Sequence, residues 1–185
     1  MAENNMDDLQ LQFDMDLLKK RTIFLRHEVN GPKANKIGQA ILWLNARDPD
    51  KPINLYINSV GGSIIAGFDI CDIIRHSRAQ VIGLVYRQAN SMASVILQAC
   101  AKRKAMRNST LYLHNIRLVV EGEFHEIDEK VKKAVAETKD DQEKIYQYLA
   151  EKTKISLNEI AEICRKRTTL SAEKALELGL IDEII

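Results

Sequence analysis

Apolar residues follow two different periods along this chain, and segments of the two kinds alternate through its first half. Short runs rich in β-branched and aromatic residues predict strands, and apolar residues recurring every three or four positions predict amphipathic helices. The strands predicted in this way are residues 22–25, 53–57 and 81–86, and the helices lie within residues 34–44, 64–74 and 92–100. Strands that alternate with helices are typical of an α/β fold with a parallel sheet.

The second half of the chain carries one long helix and several shorter elements. Apolar residues at helical spacing predict the long helix within residues 127–149, and its middle, residues 139–144, is entirely polar. Because a fully polar stretch has no face for a core, we expect this middle to face solvent or a polar interface. The other predicted elements are a strand at 111–113, an irregular or extended segment at 116–120, a helix capped by Ser156 and Glu159, a helix capped by Ser171 and ended by Gly179, and a strand at 180–185.

Length and composition restrict the class of protein. The chain has 185 residues, of which 45% are apolar and 29% charged, and these values predict a single domain at residues 13–185 after a flexible segment at residues 1–12. The net charge of +1 gives no reason to expect a nucleic-acid or membrane partner. No apolar run approaches the roughly 20 residues that span a bilayer. The polar, acidic beginning lacks the apolar core of a signal peptide, so we expect a cytoplasmic location.

The cysteine and glycine patterns give no indication of a cofactor. Cys71, Cys100 and Cys164 are far apart, odd in number and without C-x-x-C spacing, which predicts buried thiols rather than disulfides or a zinc site. The pair Gly61-Gly62 fits neither the GxGxxG nor the GxxxxGK[ST] spacing of phosphate-binding loops. We therefore expect neither a cofactor nor a metal ion.

A polar interruption, residues 87–91, separates the third predicted strand from the helix that follows it. It ends in Ser91, where the backbone N–H groups of the new helix have no intrahelical partner and can face a developing negative charge. A serine hydroxyl in this place can attack a carbonyl if a base removes its proton. The alternative interpretation is a helix N-cap, which position alone favours because serine is a preferred capping residue.

His114 is the candidate base among the four histidines. It ends the strand predicted at 111–113, whereas His27, His76 and His125 lie among charged residues and are interpreted as surface positions. Taken alone, a histidine at a strand end is more often structural than catalytic. Pairing with Ser91 strengthens the catalytic interpretation, because a neutral imidazole is the usual activator of a serine.

Gly61-Gly62 follows the second predicted strand and would let the backbone approach a ligand closely. The N–H group of Gly62, together with that of Met92 after the serine, would form an oxyanion hole with two donors. The alternative interpretation is a tight turn at residues 58–62.

Several segments, taken in order, resemble the proteolytic subunit of the Clp protease family. Residues 53–67 resemble its oxyanion-loop segment, residues 88–93 its nucleophile motif and residues 113–115 the segment of its base, while residues 13–14 and 21–25 are similar to its beginning and residues 170–182 to its ending. The resemblance implies a crotonase-like α/β fold, a spiral of ββα units with a protruding handle helix in the region of residues 116–155. It implies heptameric rings stacked in pairs as a tetradecamer, and serine endopeptidase activity on unfolded polypeptides delivered by an ATP-dependent unfoldase.

The resemblance also implies the role of each site residue. Ser91 takes the place of the nucleophile, His114 that of the base, and Gly62 and Met92 those of the oxyanion donors. The third member of the family's triad is an Asp, and its position holds Arg167 in this chain. A cation there opposes the imidazolium that forms during attack, and replacing the Asp of a well-studied triad by its amide lowers turnover by about four orders of magnitude. Glu162 is a carboxylate nearby in the sequence that could serve as another acceptor.

Other departures from the family's pattern support an atypical site. Val60 replaces a proline, Asn54 replaces an aromatic residue of the unfoldase-docking pocket, and residues 116–122 keep one glycine and gain bulk in a glycine-rich segment expected to hold substrate. The basic residues within 102–107 are interpreted as a solvated turn.

Three functions remain open on these grounds. The first is a serine endopeptidase subunit of a Clp-type barrel, homomeric or combined with a paralogous subunit, with impaired or atypical catalysis because of Arg167. The second is a non-catalytic structural or regulatory subunit of such a ring. The third is a crotonase-like acyl-thioester enzyme, which is favoured least because nothing in the sequence indicates a pocket for a nucleotide thioester. Retention of Ser91 and His114 favours the first function, and Arg167 favours the second.

Overall fold

The computed structural model describes residues 2–119, 123 and 125–185. Its elements confirm the mixed α/β class and each strand and helix predicted in the first half. In chain order they are α1 (Ala2–Lys19), β1 (Thr22–Val29), α2 (Gly31–Arg47), β2 (Ile53–Gly62), α3 (Ile64–His76), β3 (Val81–Asn90), α4 (Met92–Ala99), β4 (Lys102–Ala105), β5 (Thr110–Leu113), α5 (Ile127–Ala150), α6 (Leu157–Arg165), β6 (Thr168–Ser171), α7 (Ala172–Glu177) and β7 (Glu183–Ile184).

The strands of the described residues form a seven-stranded sheet in which β3 has two successive partners on one edge. The main path is β1-β2-β3-β4-β7, and all of its neighbours are parallel. Residues 82–85 of β3 pair with β4, and residues 88–90 pair in parallel with β5. β6 then pairs with β5 in the antiparallel direction. The carboxyl ends of β3 and β5 therefore lie side by side.

Helix α4 lies in the core and begins directly after Ser91. All eight of its residues are buried, and it packs against β2, β3, α3 and α5. A helix that is apolar on every side is typical of a core position. Full burial of a side chain such as Ile96 or Leu97 favours the folded state by about 1.5–3 kcal/mol before entropy costs. The start of α4 is consequently held in a defined place relative to the sheet.

Two strands are longer than the sequence predicted. The turn expected at residues 58–62 is instead the last part of β2, and the loop expected at residues 87–90 is the last part of β3. Residues 58–62 contain two glycines and residues 87–90 are mostly polar, so neither segment carries an apolar alternation. Their pairing with β1 and β5 is a tertiary effect that overrides local sequence preference.

The two ends of the chain also differ from expectation. Helix α1, which the sequence did not predict, includes residues 2–12, whose expected flexibility stays a prediction, and residue 1 lies outside the described residues. Leu18 of α1 packs against the core, and the Asp14 carboxylate lies 3.8 Å from Arg26 and 3.5 Å from Lys36. These contacts involve elements distant in the sequence, which explains why no local pattern indicated the helix. At the other end, β7 is shorter than the strand predicted at 180–185.

The helices predicted in the second half are present. Ser156 and Glu159 form both hydrogen bonds of a capping box at α6, and the Ser171 hydroxyl accepts a hydrogen bond from the backbone of Lys174 at the start of α7. Residues 114–119 have no regular secondary structure, as predicted. Residues 120–122 and 124, which belong to the predicted extended segment and to the predicted handle region, lie outside the described residues.

The predicted solvated turn at residues 102–107 is wrong for residues 102–105, which form β4, and the Arg103 side chain is only 5% exposed. Its guanidinium donates to Asp182 at 2.5 Å and 3.2 Å and to Gln98 at 2.6 Å. A charge can be buried when it is paired and hydrogen-bonded, a condition that the local sequence does not show. This cluster joins β4, α4 and the chain end before β7.

In the described part of the chain, no helix combines the length and the apolar character needed to cross a membrane.

Replacing Asp182 by Asn is expected to destabilise the protein by about 2 kcal/mol at neutral pH, because Arg103 loses its charged partner in a largely buried place. Burial acts to raise the pKa of Asp182, but the hydrogen bonds from Arg103 outweigh it and lower that pKa below its ordinary value of 3.8. The stabilisation is therefore complete above pH 3.8 and is lost as the pH falls through the lower folded-state value. Chemical denaturation at several pH values measures both effects.

Glu183→Gln is the matched control, because the Glu183 carboxylate pairs with Lys102 and Lys104 nearer the surface. We expect a much smaller loss for it, because solvent screens exposed ion pairs. Equal losses for the two variants would contradict the role given to Asp182.

Candidate active site

Ser91 occupies the turn between β3 and α4 in a strained backbone conformation. Its φ of 53° and ψ of −125° are unusual for any residue other than glycine. Its N–H donates to the Tyr112 carbonyl at 2.7 Å, and its carbonyl accepts from the backbone N–H of Ser94 at 2.9 Å. These two hydrogen bonds stabilise the turn. Ser91 stands at the N-cap position that the alternative interpretation predicted, but its hydroxyl makes no capping hydrogen bond within the described part of the chain. The hydroxyl is thus not occupied by a capping role.

The four residues proposed from the sequence line one cavity of about 440 Å³. Ser91, His114, Gly62 and Met92 come from three separate parts of the chain, and the adjacent ends of β2, β3 and β5 bring them together. A volume of this size lies within the range of sites for small ligands or single side chains. The apolar part of the cavity is formed by Ile64, Val95, Leu113, Ile116, Ile145 and Leu149.

His114 is half-buried and held by two contacts. Its Nδ1 lies 2.5 Å from the main-chain carbonyl oxygen of Asn115, and its ring stacks on Tyr112 with 5.1 Å between centroids. The other histidines, His27, His76 and His125, are exposed, as the sequence predicted. Only His114 among the four lines the cavity with Ser91.

The two glycines of β2 both line the cavity but have different surroundings. Gly61 has a φ of 86°, and a Cβ there would lie 2.7 Å from the Ser91 Cβ and 2.9 Å from the Met92 nitrogen, so only glycine fits. The Gly61 N–H donates to the hydroxyl of buried Ser59 at 3.1 Å, which leaves it committed to the strand. The assignment of Gly62 and Met92 as the oxyanion donors stays a prediction.

Metal and thiol chemistry find no support in this region. Among the described residues, no group of three or more His, Cys, Asp or Glu side chains is arranged to hold a metal ion. Cys71, Cys100 and Cys164 are free and buried, as predicted, and burial raises the pKa of Cys100 to about 12. These thiols stay protonated at neutral pH, so the serine is the candidate nucleophile.

The sequence model of the Clp protease family matches residues 6–185. This chain belongs to the Clp protease family. The match confirms the resemblance drawn from the segments around Gly62, Ser91 and His114, and it extends from α1 to the last residue. The mixed α/β fold agrees with that membership.

Arg167, which the resemblance aligns with the Clp family's catalytic Asp, directly precedes β6, the strand that pairs with β5 beside His114. β5 and β6 pair from Thr110 opposite Ser171 to Leu113 opposite Thr168, and His114 and Arg167 are the residues directly beyond that last pair. The Arg167 Nε donates to the Tyr112 hydroxyl at 3.2 Å, on the residue that stacks on His114. Arg167 is not among the residues that line the cavity.

Glu162, the other acceptor considered from the sequence, is held elsewhere. Its carboxylate accepts hydrogen bonds from Arg165 at 2.6 Å and 3.0 Å on the exposed face of α6. Glu162 is therefore not the replacement for the missing Asp.

Several residues of this candidate site were not predicted from the sequence. Glu28 and Arg117 line the cavity, and Tyr112 and Asn115 contact His114. Tyr112 and Asn115 could have been identified because they neighbour His114 in the sequence.

The polar stretch 139–144 was expected to face solvent or a polar interface, yet Gln142 is half-buried and accepts a hydrogen bond from the Ile116 N–H at 2.7 Å. No local pattern could indicate Gln142, because its contact with Ile116 joins residues 26 positions apart.

Replacing Ser91 by Gly is expected to give a more stable protein than replacing it by Ala, by about 1 kcal/mol, because glycine adopts a positive φ without strain. Both variants lack the hydroxyl, so the difference reports the backbone alone. Equilibrium unfolding in urea, with equal assembly state verified for the two variants, measures it. An Ala variant as stable as the Gly variant would show that no strain resides at this turn.

Proposed function

We propose that this Clp-type peptidase subunit is a serine endopeptidase that cleaves unfolded polypeptides, with Ser91 as nucleophile and His114 as general base. The observation that carries the proposal is the shared cavity of Ser91, His114, Gly62 and Met92, with the serine hydroxyl outside any capping bond. A nucleophile, a base and two backbone donors around one space are the parts that acyl transfer requires.

In the proposed reaction, the Ser91 Oγ attacks the scissile carbonyl carbon while the His114 Nε2 takes its proton. The carbonyl oxygen becomes an oxyanion, which accepts hydrogen bonds from the N–H groups of Gly62 and Met92. Collapse of this intermediate breaks the peptide bond, and the imidazolium gives its proton to the leaving amine. A water molecule then hydrolyses the acyl-enzyme by the same steps.

Arg167 makes this reaction slow in the proposed scheme. The imidazole gains a positive charge during attack, and the Arg167 guanidinium donates to the hydroxyl of Tyr112, whose ring stacks on His114. Two like charges in proximity repel, whereas an Asp in this position would attract. We therefore expect a peptidase that is impaired or atypical rather than absent.

The proposed assembly is a ring. The Clp protease family generally forms ring oligomers, and we propose heptamers stacked in pairs as a tetradecamer, with α5 as the handle helix. Support comes from apolar side chains that face outward in the single chain: Val131 and Val135 of α5 are 38% and 51% exposed, and Trp43 of α2 is 43% exposed. An ATP-dependent unfoldase or a paralogous subunit would be the partner, in the cytoplasm.

The alternative function is a non-catalytic ring subunit that keeps the fold and has a structural or regulatory role. The observation that favours it is the cation Arg167 directly beyond the strand pair that ends beside His114. The two functions differ in whether the Ser91 hydroxyl is activated, which a covalent probe measures directly.

A fluorophosphonate probe is expected to label the assembled protein at Ser91, and Ser91→Ala is expected to abolish labelling. His114→Ala is expected to slow it by about a hundredfold or more, because proton transfer by a placed base contributes 10²–10⁴-fold. Labelling is read by intact mass spectrometry with sedimentation velocity to verify the ring. An intact ring without Ser91 labelling would favour the non-catalytic subunit.

Replacing Arg167 by Asp is expected to accelerate labelling and peptide cleavage by about tenfold or more, because the carboxylate of a Ser-His-Asp triad stabilises the imidazolium. Asp also tolerates the left-handed conformation at this position, where φ is 54°. Lys166→Asp is the matched control, since it makes the same charge change on the preceding, exposed residue. Equal rates for Arg167→Asp and the unmodified protein would contradict the inhibitory role of Arg167.

A further inference from the structure

The proposed mechanism does not yet identify the group that accepts a hydrogen bond from the His114 Nδ1. Arg167 cannot accept a hydrogen bond, and Glu162 is bound to Arg165. The atom in contact with Nδ1 is the main-chain carbonyl oxygen of Asn115, at 2.5 Å. A carbonyl only accepts, so the contact requires the proton to be on Nδ1. In a neutral ring Nε2 then has no proton and can receive one from a serine.

We propose that the Asn115 carbonyl replaces the family's carboxylate in fixing the tautomer and orientation of His114, and that Gln142 and Tyr146 of α5 hold this carbonyl in place. The inference rests on the proposed function for its catalytic meaning, but the tautomer itself can be measured without activity. Gln142 and Tyr146 are positioning residues in this arrangement, since they act through residues 115 and 116.

Gln142 acts on the same peptide group that carries the acceptor. The Asn115 carbonyl and the Ile116 N–H belong to one planar peptide unit, in which a trans bond points the two groups in opposite directions. The Ile116 N–H donates to the Gln142 Oε1 at 2.7 Å. Directing the N–H toward α5 therefore directs the carbonyl away from it, toward the imidazole. The hydrogen bond at the N–H also polarises the peptide and makes its carbonyl a better acceptor.

Tyr146 fixes the neighbouring side chain from the same face of α5. It stands four residues after Gln142, one turn along the helix. Its hydroxyl donates to the Asn115 Oδ1 at 2.7 Å, and burial raises the pKa of Tyr146 above its ordinary value, which keeps the proton for this bond. Buried Ile145 and Leu149 hold α5 against the core at this level.

Tyr112 completes the support on the face of the ring. It stacks on His114 with an interplanar angle of 30°, and the bond from Arg167 to its hydroxyl restrains it. Arg167 thus contacts the stacking partner rather than Nδ1, which leaves that nitrogen to the carbonyl. A carbonyl orients the ring as a carboxylate does, but it has no net charge to stabilise the imidazolium.

The test uses Gln142→Ala and Tyr146→Phe in the full-length assembled protein. Magic-angle-spinning NMR with ring-¹⁵N-labelled histidine reports the tautomer, and His114→Ala assigns the signal among the four histidines. In the unmodified protein we expect neutral His114 with its proton on Nδ1. Both variants are expected to show the other tautomer in part and to lose about tenfold in fluorophosphonate labelling rate, because a wrong tautomer disables the base.

Gln147→Ala and Tyr148→Phe are the matched controls, since they make the same changes on the same helix away from residues 115 and 116. Tyr148 lies beside Phe68 and Asp72 instead. Gln142→Glu keeps an oxygen that accepts from the Ile116 N–H, so we expect it to retain the native tautomer of His114. If position 142 acted only through packing, the retained acceptor would not matter.

A proton on Nε2 in the unmodified protein would overturn the inference, and so would an unchanged tautomer in Gln142→Ala. If the tautomer behaves as expected but Ser91 is never labelled, the positioning inference stands and the peptidase proposal fails. The tautomer of His114 therefore tests the positioning inference, and labelling of Ser91 tests the peptidase proposal.

Discussion

The pairing of β5 with the carboxyl-terminal end of β3 is the contact on which the candidate site depends. β4 occupies the first part of the same β3 edge, so β5 joins only at residues 88–90. This places Leu113 and His114 beside the turn that carries Ser91, and the Ser91 N–H donates directly to the Tyr112 carbonyl. Without this ladder, the hydroxyl and the imidazole would belong to unconnected loops.

The turn at Ser91 combines strain with support. A positive φ at a serine costs free energy that the surrounding contacts must offset, and the buried helix α4 together with the Tyr112 carbonyl provides them. The glycine at position 61 lets β2 approach the same turn within a distance that no side chain allows. The result is a serine that lines the cavity and whose hydroxyl does not cap its own helix.

The surroundings of His114 show how a site can keep its geometry after losing a charged member. The ring touches a carbonyl, an aromatic face and, through that aromatic residue, the guanidinium of Arg167. These contacts orient the imidazole but contribute no negative charge. Orientation and charge stabilisation, which one carboxylate supplies together in a Ser-His-Asp triad, are separated in this chain. An impaired peptidase and a non-catalytic subunit are the two functions proposed for this chain.

The sequence alone determined the alternation of strands and helices, the family, and the candidate roles of Ser91, His114, Gly62 and Met92, because these depend on local periodicity and on short motifs. It also identified Arg167 as the departure. Only the tertiary structure decided that β2 and β3 extend through polar segments, that Arg103 is buried against Asp182, and that Gln142 reaches the peptide beside His114. Each of these depends on hydrogen bonds between residues distant in sequence, and a buried polar group is stable only when its distant partner is present.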